Sequence, residues 1–322
     1  MVSGNAKAVN GNNQNTRLAF LVVNFGSSTL LARNLAPAVR ECRPDVVVVV
    51  DCWSGEDERQ RVTELSAAEG WDLVSLPDNR GFGGGMNAGA ARARQLGATQ
   101  LLLINPDARI DSSALDLLST VAAEYPDALV APRVVDAEGK TWFAGAVLHL
   151  SDGATSGRSA RLPEATDGIW EWISGACMML SMQLWDAVGG FDESYFLYWE
   201  DVDLSRRVTA RGGRLIVVQE ATVLHEEGGT HKDQVEGRGK SGTYYHYMIR
   251  NRLMFATKHL DAEGIRRWRR ASVTNAWAVL LQGGRRQFLH PVAPARAAWR
   301  GLREGMALAA FALKNDGSER QT

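Results

Sequence analysis

Between Leu18 and Ile104 the chain alternates short, unbroken apolar runs with polar or glycine punctuation and stretches of helical spacing. The runs are Leu18 to Phe25 (LAFLVVNF), Val46 to Val50 (VVVVV), Leu73 to Leu76 and Leu101 to Ile104 (LLLI). Apolar side chains without alternation fit strands covered on both faces, as in a parallel sheet. The intervening helices are expected over Leu30 to Val39 behind a Ser/Thr cap, over Asp57 to Glu69 and over Asn87 to Leu96. This rhythm predicts a doubly wound, mostly parallel α/β sheet, whose chemistry gathers at the carboxyl ends of its strands. Asp51, Asp78 and Asp107 fall there.

With 322 residues and 45% hydrophobic content the chain can bury a core. Its 36 Lys+Arg against 37 Asp+Glu exclude the global basic excess of a nucleic-acid coat. Cys42, Cys52 and Cys177 contain no CxxC, so neither a disulfide framework nor a structural zinc site is expected, and a reducing cytoplasm fits. Residues 1–16 lack an apolar signal-peptide core and read as a disordered tail, and no run approaches the roughly 18 apolar residues of a membrane span.

The sheet domain is expected over 17–243, with a hairpin and loop over Thr141 to Pro163, and a basic amphipathic helical extension over 244–322. Arg250 to Arg303 hold 12 Lys+Arg against 2 acidic residues, a net of +10, interleaved with Trp268, Trp277 and Trp299. Two readings stand for that segment. It is a peripheral contact with the inner face of an anionic membrane, or a solvated cap or homodimer surface.

Four motifs carry candidate chemistry. Asp78-Asn79-Arg80-Gly81-Phe82-Gly83-Gly84-Gly85-Met86-Asn87 contains a formal GxGxxA, but after the third strand and without the Lys-Ser/Thr of a P-loop. It is either backbone brought near a phosphate or sugar, or a tight turn. Asn105-Pro106-Asp107 ends an apolar strand; Asp107 suits a hard divalent cation shared with a diphosphate, while Asp111 or Ser112 is better placed to cap the next helix. In Gly189 to Leu204 (GGFDESYFLYWEDVDL) three carboxylates follow a run of aromatics, a setting that tunes a general base or merely opens a helix. His225 ends a strand-like stretch, and HExxH fails because position 229 is Gly.

These blocks in order, with SGACMMLS at Ser174 to Ser181 and RNRL at Arg250 to Leu253, resemble inverting glycosyltransferases of family 2 with the GT-A fold, near their rhamnosyltransferase-like branch. The resemblance runs from about Leu18 to about Lys258. It implies transfer of a sugar, rhamnose among the candidates, from a nucleoside-diphosphate donor, dTDP- or UDP-linked, to a hydroxyl of a glycan, a lipid-linked glycan or a small natural product. It implies Mg²⁺ or Mn²⁺ held by Asp107 and His225, with Asn105 replacing the first acid of the DxD element. Asp201 is implied as catalytic base and Glu200 as an acceptor-orienting or helix-capping neighbour. Donor contacts are implied for Asn24, Phe25, Asp51, Asp78, Asn79, Gly83, Gly84, Asn87, Asn105, Asp107, Gly175, Arg250 and Arg252. Acceptor contacts are expected from Trp170, Trp172, Tyr198 and Trp199. Two rivals are a degenerate nucleotide-sugar-binding module and a nucleotidyltransferase. The latter calls for a basic Gly-rich signature after the first strand, where Asn24 to Ser27 holds no Lys or Arg.

Overall fold

The structure is a computed structural model and describes residues 16–157, 168–225, 240–284 and 291–319. The tail through residue 15 and the stretch 226–239, with Glu226, Glu227 and His231, lie outside the described residues.

The strands are β1 (Leu18–Asn24), β2 (Val46–Cys52), β3 (Asp72–Leu76), β4 (Gln100–Ile104), β5 (Ala108–Arg109), β6 (Ala128–Val135), β7 (Thr141–Phe143), β8 (Ala146–His149), β9 (Thr155–Gly157), β10 (Ile169–Trp172), β11 (Cys177–Ser181) and β12 (Arg214–His225). The main sheet runs β3-β2-β1-β4-β11-β6-β12-β5, with β7 beside β6. Strands β1 to β4 pair in parallel, β12 is parallel to β6, and β11 enters antiparallel between β4 and β6. This is the mostly parallel GT-A type sheet expected. Its two faces bury separate apolar clusters, one with Leu21, Val48, Val50 and Leu103, the other with Phe20, Val49, Leu102 and Val130. Alternate residues of each run thus face opposite cores, which explains the absence of a polar face. Strands β8, β9 and β10 form a small antiparallel sheet, consistent with the expected hairpin.

Among the helices, α1 (Ser28–Leu30), a π-helical turn Leu31–Leu35 and α2 (Ala36–Cys42) follow one another. Then come α3 (Glu56–Glu69), α4 (Gly81–Gln95), α5 (Ser112–Glu124), α6 (Met182–Val188), α7 (Glu200–Ala210), α8 (Gly242–His259), α9 (Ala262–Arg270), α10 (Ser272–Leu281) and α11 (Val292–Glu319). Asp111 caps α5 by accepting from Ala114 N at 2.8 Å, leaving Asp107 out of that task. One helix begins six residues before its expected start. The glycine run is the opening of α4 rather than a loop, and packing explains it: a Cβ at Gly85 would lie 2.7 Å from Val23 Cγ2, and one at Gly89 2.5 Å from Leu21 Cδ2. The glycines let α4 approach the sheet, so tertiary contact overrides their poor helix propensity.

The C-terminal helices pack against the sheet domain through a core of their own. Leu253, Phe255, Ile265, Trp268 and Ala309 form one buried cluster with Leu148, Tyr195 and Trp199. Among the described residues no helix is long and apolar enough to cross a membrane.

Candidate active site

Strand pairing brings together two residues far apart in sequence. The two-residue β5 runs antiparallel to the end of β12 and sets His225 opposite Ala108. The preceding Asp107, 2% exposed, therefore has its Oδ1 3.2 Å from His225 Nε2. Trp142, on β7, stacks on the His225 ring with centroids 4.9 Å apart and stays 44% exposed. His225 Nδ1 is buried without a hydrogen-bond partner among the described residues.

The loop between β10 and β11 links this pair to the helix that carries the other carboxylates. Asn105 N donates to Ala176 O at 2.9 Å, while Gly175 N donates to Asp201 Oδ2 at 3.0 Å. Ser174 to Ala176 thus borders the Asp107 turn on one side and the first turn of α7 on the other. A side chain at position 175 would press on Phe82, because its Cβ would stand 3.3 Å from Phe82 Cε1.

Glu200 and Asp201 open α7 in different environments. Asp201 Oδ1 also accepts from Val202 N at 2.8 Å. Burial lifts its carboxyl to about 6, and those backbone N–H donors limit the rise. Glu200 is 6% exposed, and its Oε2 has no partner among the described residues. Burial, then the adjacent Asp201, push its carboxyl well above the ordinary range. Of the two, Asp201 is the one ionised near neutral pH.

The approach to this turn is strained. Tyr198 and Trp199 have φ of 65° and 75°, a left-handed conformation rare for aromatic residues and rarer in succession. Asn251, fully buried on α8, holds them by donating to Leu197 O at 3.0 Å and Tyr198 O at 2.8 Å. The sequence pointed instead to its neighbours, and Arg252 requires correction. It is 1% exposed and donates to Asp152 O, Trp268 O and Ser272 Oγ, so it fastens the helical region and does not face a donor. Arg250 reaches Asn251 Oδ1 and stands 3.7 Å from Glu304.

At the carboxyl ends of β1 and β2, Asn24 lies opposite Asp51 and donates to its Oδ1 at 2.9 Å. Arg59, which no sequence motif marks, ion-pairs with Asp51 Oδ2 and sits 4.9 Å from the Trp53 ring centre. Asp51 is fully buried, whereas Phe25 and Trp53 are 47% and 38% exposed at the same sheet edge. Asp78 is exposed near Arg80, and Asn79 accepts from Gly81 N at 2.8 Å.

Further along α4 the residues expected at the donor make packing contacts within the chain. Asn87 exchanges hydrogen bonds with Phe191 N and O, both 2.9 Å, and Gly83 and Gly84 crowd Phe191 and Arg80. The aromatic residues divide similarly. Trp199 is core, packed on Phe255 and Trp268; Trp170 lies under the Arg206 guanidinium at 4.0 Å; Trp172 packs on Phe143; Tyr198 meets Tyr244 edge-on. The exposed ring beside Asp107 and His225 is Trp142, which carries no pattern in the sequence.

Residues 16–240 match the family described as Glycosyltransferase like family 2, and the chain belongs to that family. It is 27% identical over 191 residues to the N-acetylglucosaminyl-diphospho-decaprenol L-rhamnosyltransferase of Mycobacterium tuberculosis, an alignment covering 52% of this chain and 60% of the relative's length. Two solved structures share the fold. One is GalNAc-T7 with UDP, GalNAc and Mn²⁺, at TM-score 0.54 and 16% identity over 81% of this chain and 55% of that one. The other is the mannosyltransferase PcManGT from Pyrobaculum calidifontis with GDP-Man and Mn²⁺, at TM-score 0.53 and 15% identity over 94% and 88%.

Proposed function

We propose that the chain is a metal-dependent, inverting glycosyltransferase that moves a sugar, rhamnose by analogy with the mycobacterial relative, from a UDP- or dTDP-linked donor to a hydroxyl of a lipid-linked glycan. One observation carries this reading: a single three-residue loop, Ser174 to Ala176, borders both the Asp107–His225 pair and the carboxylate of Asp201. This proximity supports reading Asp107 and His225 as the diphosphate-side pair and Asp201 as the base.

The residues fit a divalent ion. Two ligands about 2.1 Å from one Mg²⁺ at right angles are about 3.0 Å apart, close to the 3.2 Å between Asp107 Oδ1 and His225 Nε2. Among the described residues no group of three or more His, Cys, Asp and Glu gathers there. That suits an ion that takes its other ligands from diphosphate and water. When bound, such an ion neutralises charge growing on the departing diphosphate.

Asp201 would take the proton of the attacking acceptor hydroxyl, its lifted pKa bringing it nearer that task while leaving it ionised at neutral pH. In-line attack on the anomeric carbon forms the new C–O bond as the bond to the diphosphate breaks, inverting that centre. Trp142 offers a flat apolar face for a sugar ring beside the pair. Phe25 and Trp53 offer faces for the nucleobase, with Asp51 and Arg59 fixed behind them.

Calorimetry of UDP and dTDP binding with and without Mn²⁺ tests the assignment. Mn²⁺ should tighten binding of one nucleotide to the wild type, and Asp107→Ala should abolish that tightening, with His225→Ala weakening it less. Equal tightening in Asp107→Ala would remove the pair from the site.

A further inference from the structure

Helix α10 reads SVTNAWAVLL, ten residues without a charge. Its inward face, with Ala276 and Val279, packs against α8 and α11. Its outward face repeats at i, i+4 and i+8 as Val273, Trp277 and Leu281, which are 70%, 54% and 49% exposed. A helix that turns a Val-Trp-Leu stripe to the surface exposes apolar area where a surface helix normally carries charge.

The preceding helix supplies what lies beside the stripe. On α9, Trp268 points inward to stack on Phe255, while Arg266 and Arg270 are exposed. Arg266, Arg269 and Arg270 line an open cleft with Met306 of α11. Among the described residues none of the three has an ion-pair partner, and Arg269 Nε is buried without an acceptor. Over Ala262 to Leu281 four arginines face one acidic residue, Glu263. On α11 Trp299 is 60% exposed, with the Arg303 guanidinium 5.2 Å from its ring centre.

We infer that α9 and α10 form a docking surface for an anionic phospholipid bilayer: Val273, Trp277 and Leu281 enter the interface while the Arg266–Arg269–Arg270 cleft receives lipid phosphate. Charge selects this occupant. A symmetric contact between two copies through the same patch would bring two unpaired arginine clusters together in a drying interface, which costs more than three side chains of apolar contact return. Lipid phosphates instead satisfy the guanidinium donors, and Trp settles where one edge is apolar and the other wet. The inference stands on this surface alone and holds whether or not the chain transfers a sugar. Were both true, Trp268 would join the docked helix directly to the buried cluster that contains Trp199, next to Glu200.

The test is co-sedimentation of the full chain with vesicles of phosphatidylcholine alone or with roughly a third phosphatidylglycerol. Binding is expected to the anionic vesicles only, and to be lost when salt rises from about 0.1 M to about 1 M. Trp277→Ser with Leu281→Ser should weaken binding about tenfold or more, and so should Arg266→Gln with Arg270→Gln, the latter also flattening the salt dependence. Because all four side chains are at the surface, far-UV circular dichroism melting and nucleotide binding should match the wild type. Absence of binding to anionic vesicles, variants that bind like the wild type, or a wild-type dimer that the same variants dissociate would overturn the proposal.

Discussion

Asp107 and Asp201 border the same loop, yet the molecule holds them by opposite means. Asp107 sits where β5 meets β12, so sheet register fixes its distance to His225. Asp201 opens a helix entered through two left-handed aromatic residues, and its position depends on side-chain hydrogen bonds from a helix some fifty residues later. The sheet side provides a rigid cradle whose chemistry is set by ligand type. On the helix side burial raises the pKa of the carboxyl that we propose as the proton acceptor. A static pair suits a diphosphate that must only be held, and a tuned group suits a proton that must move.

If that contrast is right, the largest effect belongs to the proton acceptor. Asp201→Asn preserves size and shape and keeps one of the two backbone hydrogen bonds, because its amide nitrogen cannot accept the other, while removing basicity. It should cut kcat at least about a hundredfold and leave nucleotide affinity within a few-fold, measured by turnover and calorimetry. In the wild type, kcat should fall as pH drops through about 6, because protonating Asp201 removes the base. Loss of nucleotide affinity in proportion to rate would place Asp201 on the holding side and erase the distinction.

A smaller effect tests the strained entry. Asn251→Leu keeps the volume on α8 but removes both hydrogen bonds to the Leu197–Tyr198 backbone, and it leaves two partly buried carbonyls without those donors. The turn should relax, lowering kcat about tenfold through misplacement of Asp201, with Mn²⁺-dependent nucleotide binding unchanged. Asn251→Asp, which keeps the size and loses the donors, should resemble Leu rather than the wild type. If either variant weakened nucleotide binding as much as kcat, Asn251 would be supporting the whole fold rather than the base.

The same contrast explains what could be read from the residues alone. The strand runs were plain because each is covered on both faces, and Asp51 and Asp107 follow from where the runs stop. The partnership of Asp107 with His225 rested on family resemblance, since the pairing that creates it involves a strand of two residues, too short for any periodicity. On the helix side the pattern misled in a specific way. In RNRL the charged residues draw attention, but consecutive helical residues point about 100° apart; the one aimed at the Leu197–Tyr198 backbone is Asn251, and Arg252 is turned into the helical core. Positive φ at Tyr198 and Trp199 left no trace, because the usual marker of that conformation is glycine. At α4 the glycine run marked both devices, a positive-φ turn at Gly81 and close helix-to-sheet packing at Gly85 and Gly89.

The smallest effect concerns Glu200 and decides between two roles for it. As an anion gripping the acceptor, Glu200 would lose acceptor affinity on conversion to Gln, so the acceptor KM would rise with little change in melting temperature. The structure favours a neutral, buried carboxyl, its pKa raised chiefly by burial. The folded state then holds a proton that the unfolded chain releases above its ordinary carboxylate pKa. Stability attributable to Glu200 is therefore full below that pKa and is lost progressively as pH rises towards the folded-state value. Glutamine titrates in neither state. Glu200→Gln should therefore melt close to the wild type at about pH 4 and progressively higher than it as pH increases towards neutrality, while kcat and the acceptor KM stay within a few-fold. The acidic limb of the rate profile should remain near 6, since a protonated Glu200 contributes no charge to Asp201 in that range. A rise in KM without the pH-dependent gain in melting temperature would show that Glu200 works as an anion, and the two neighbouring carboxylates would then share the acceptor rather than divide burial from catalysis.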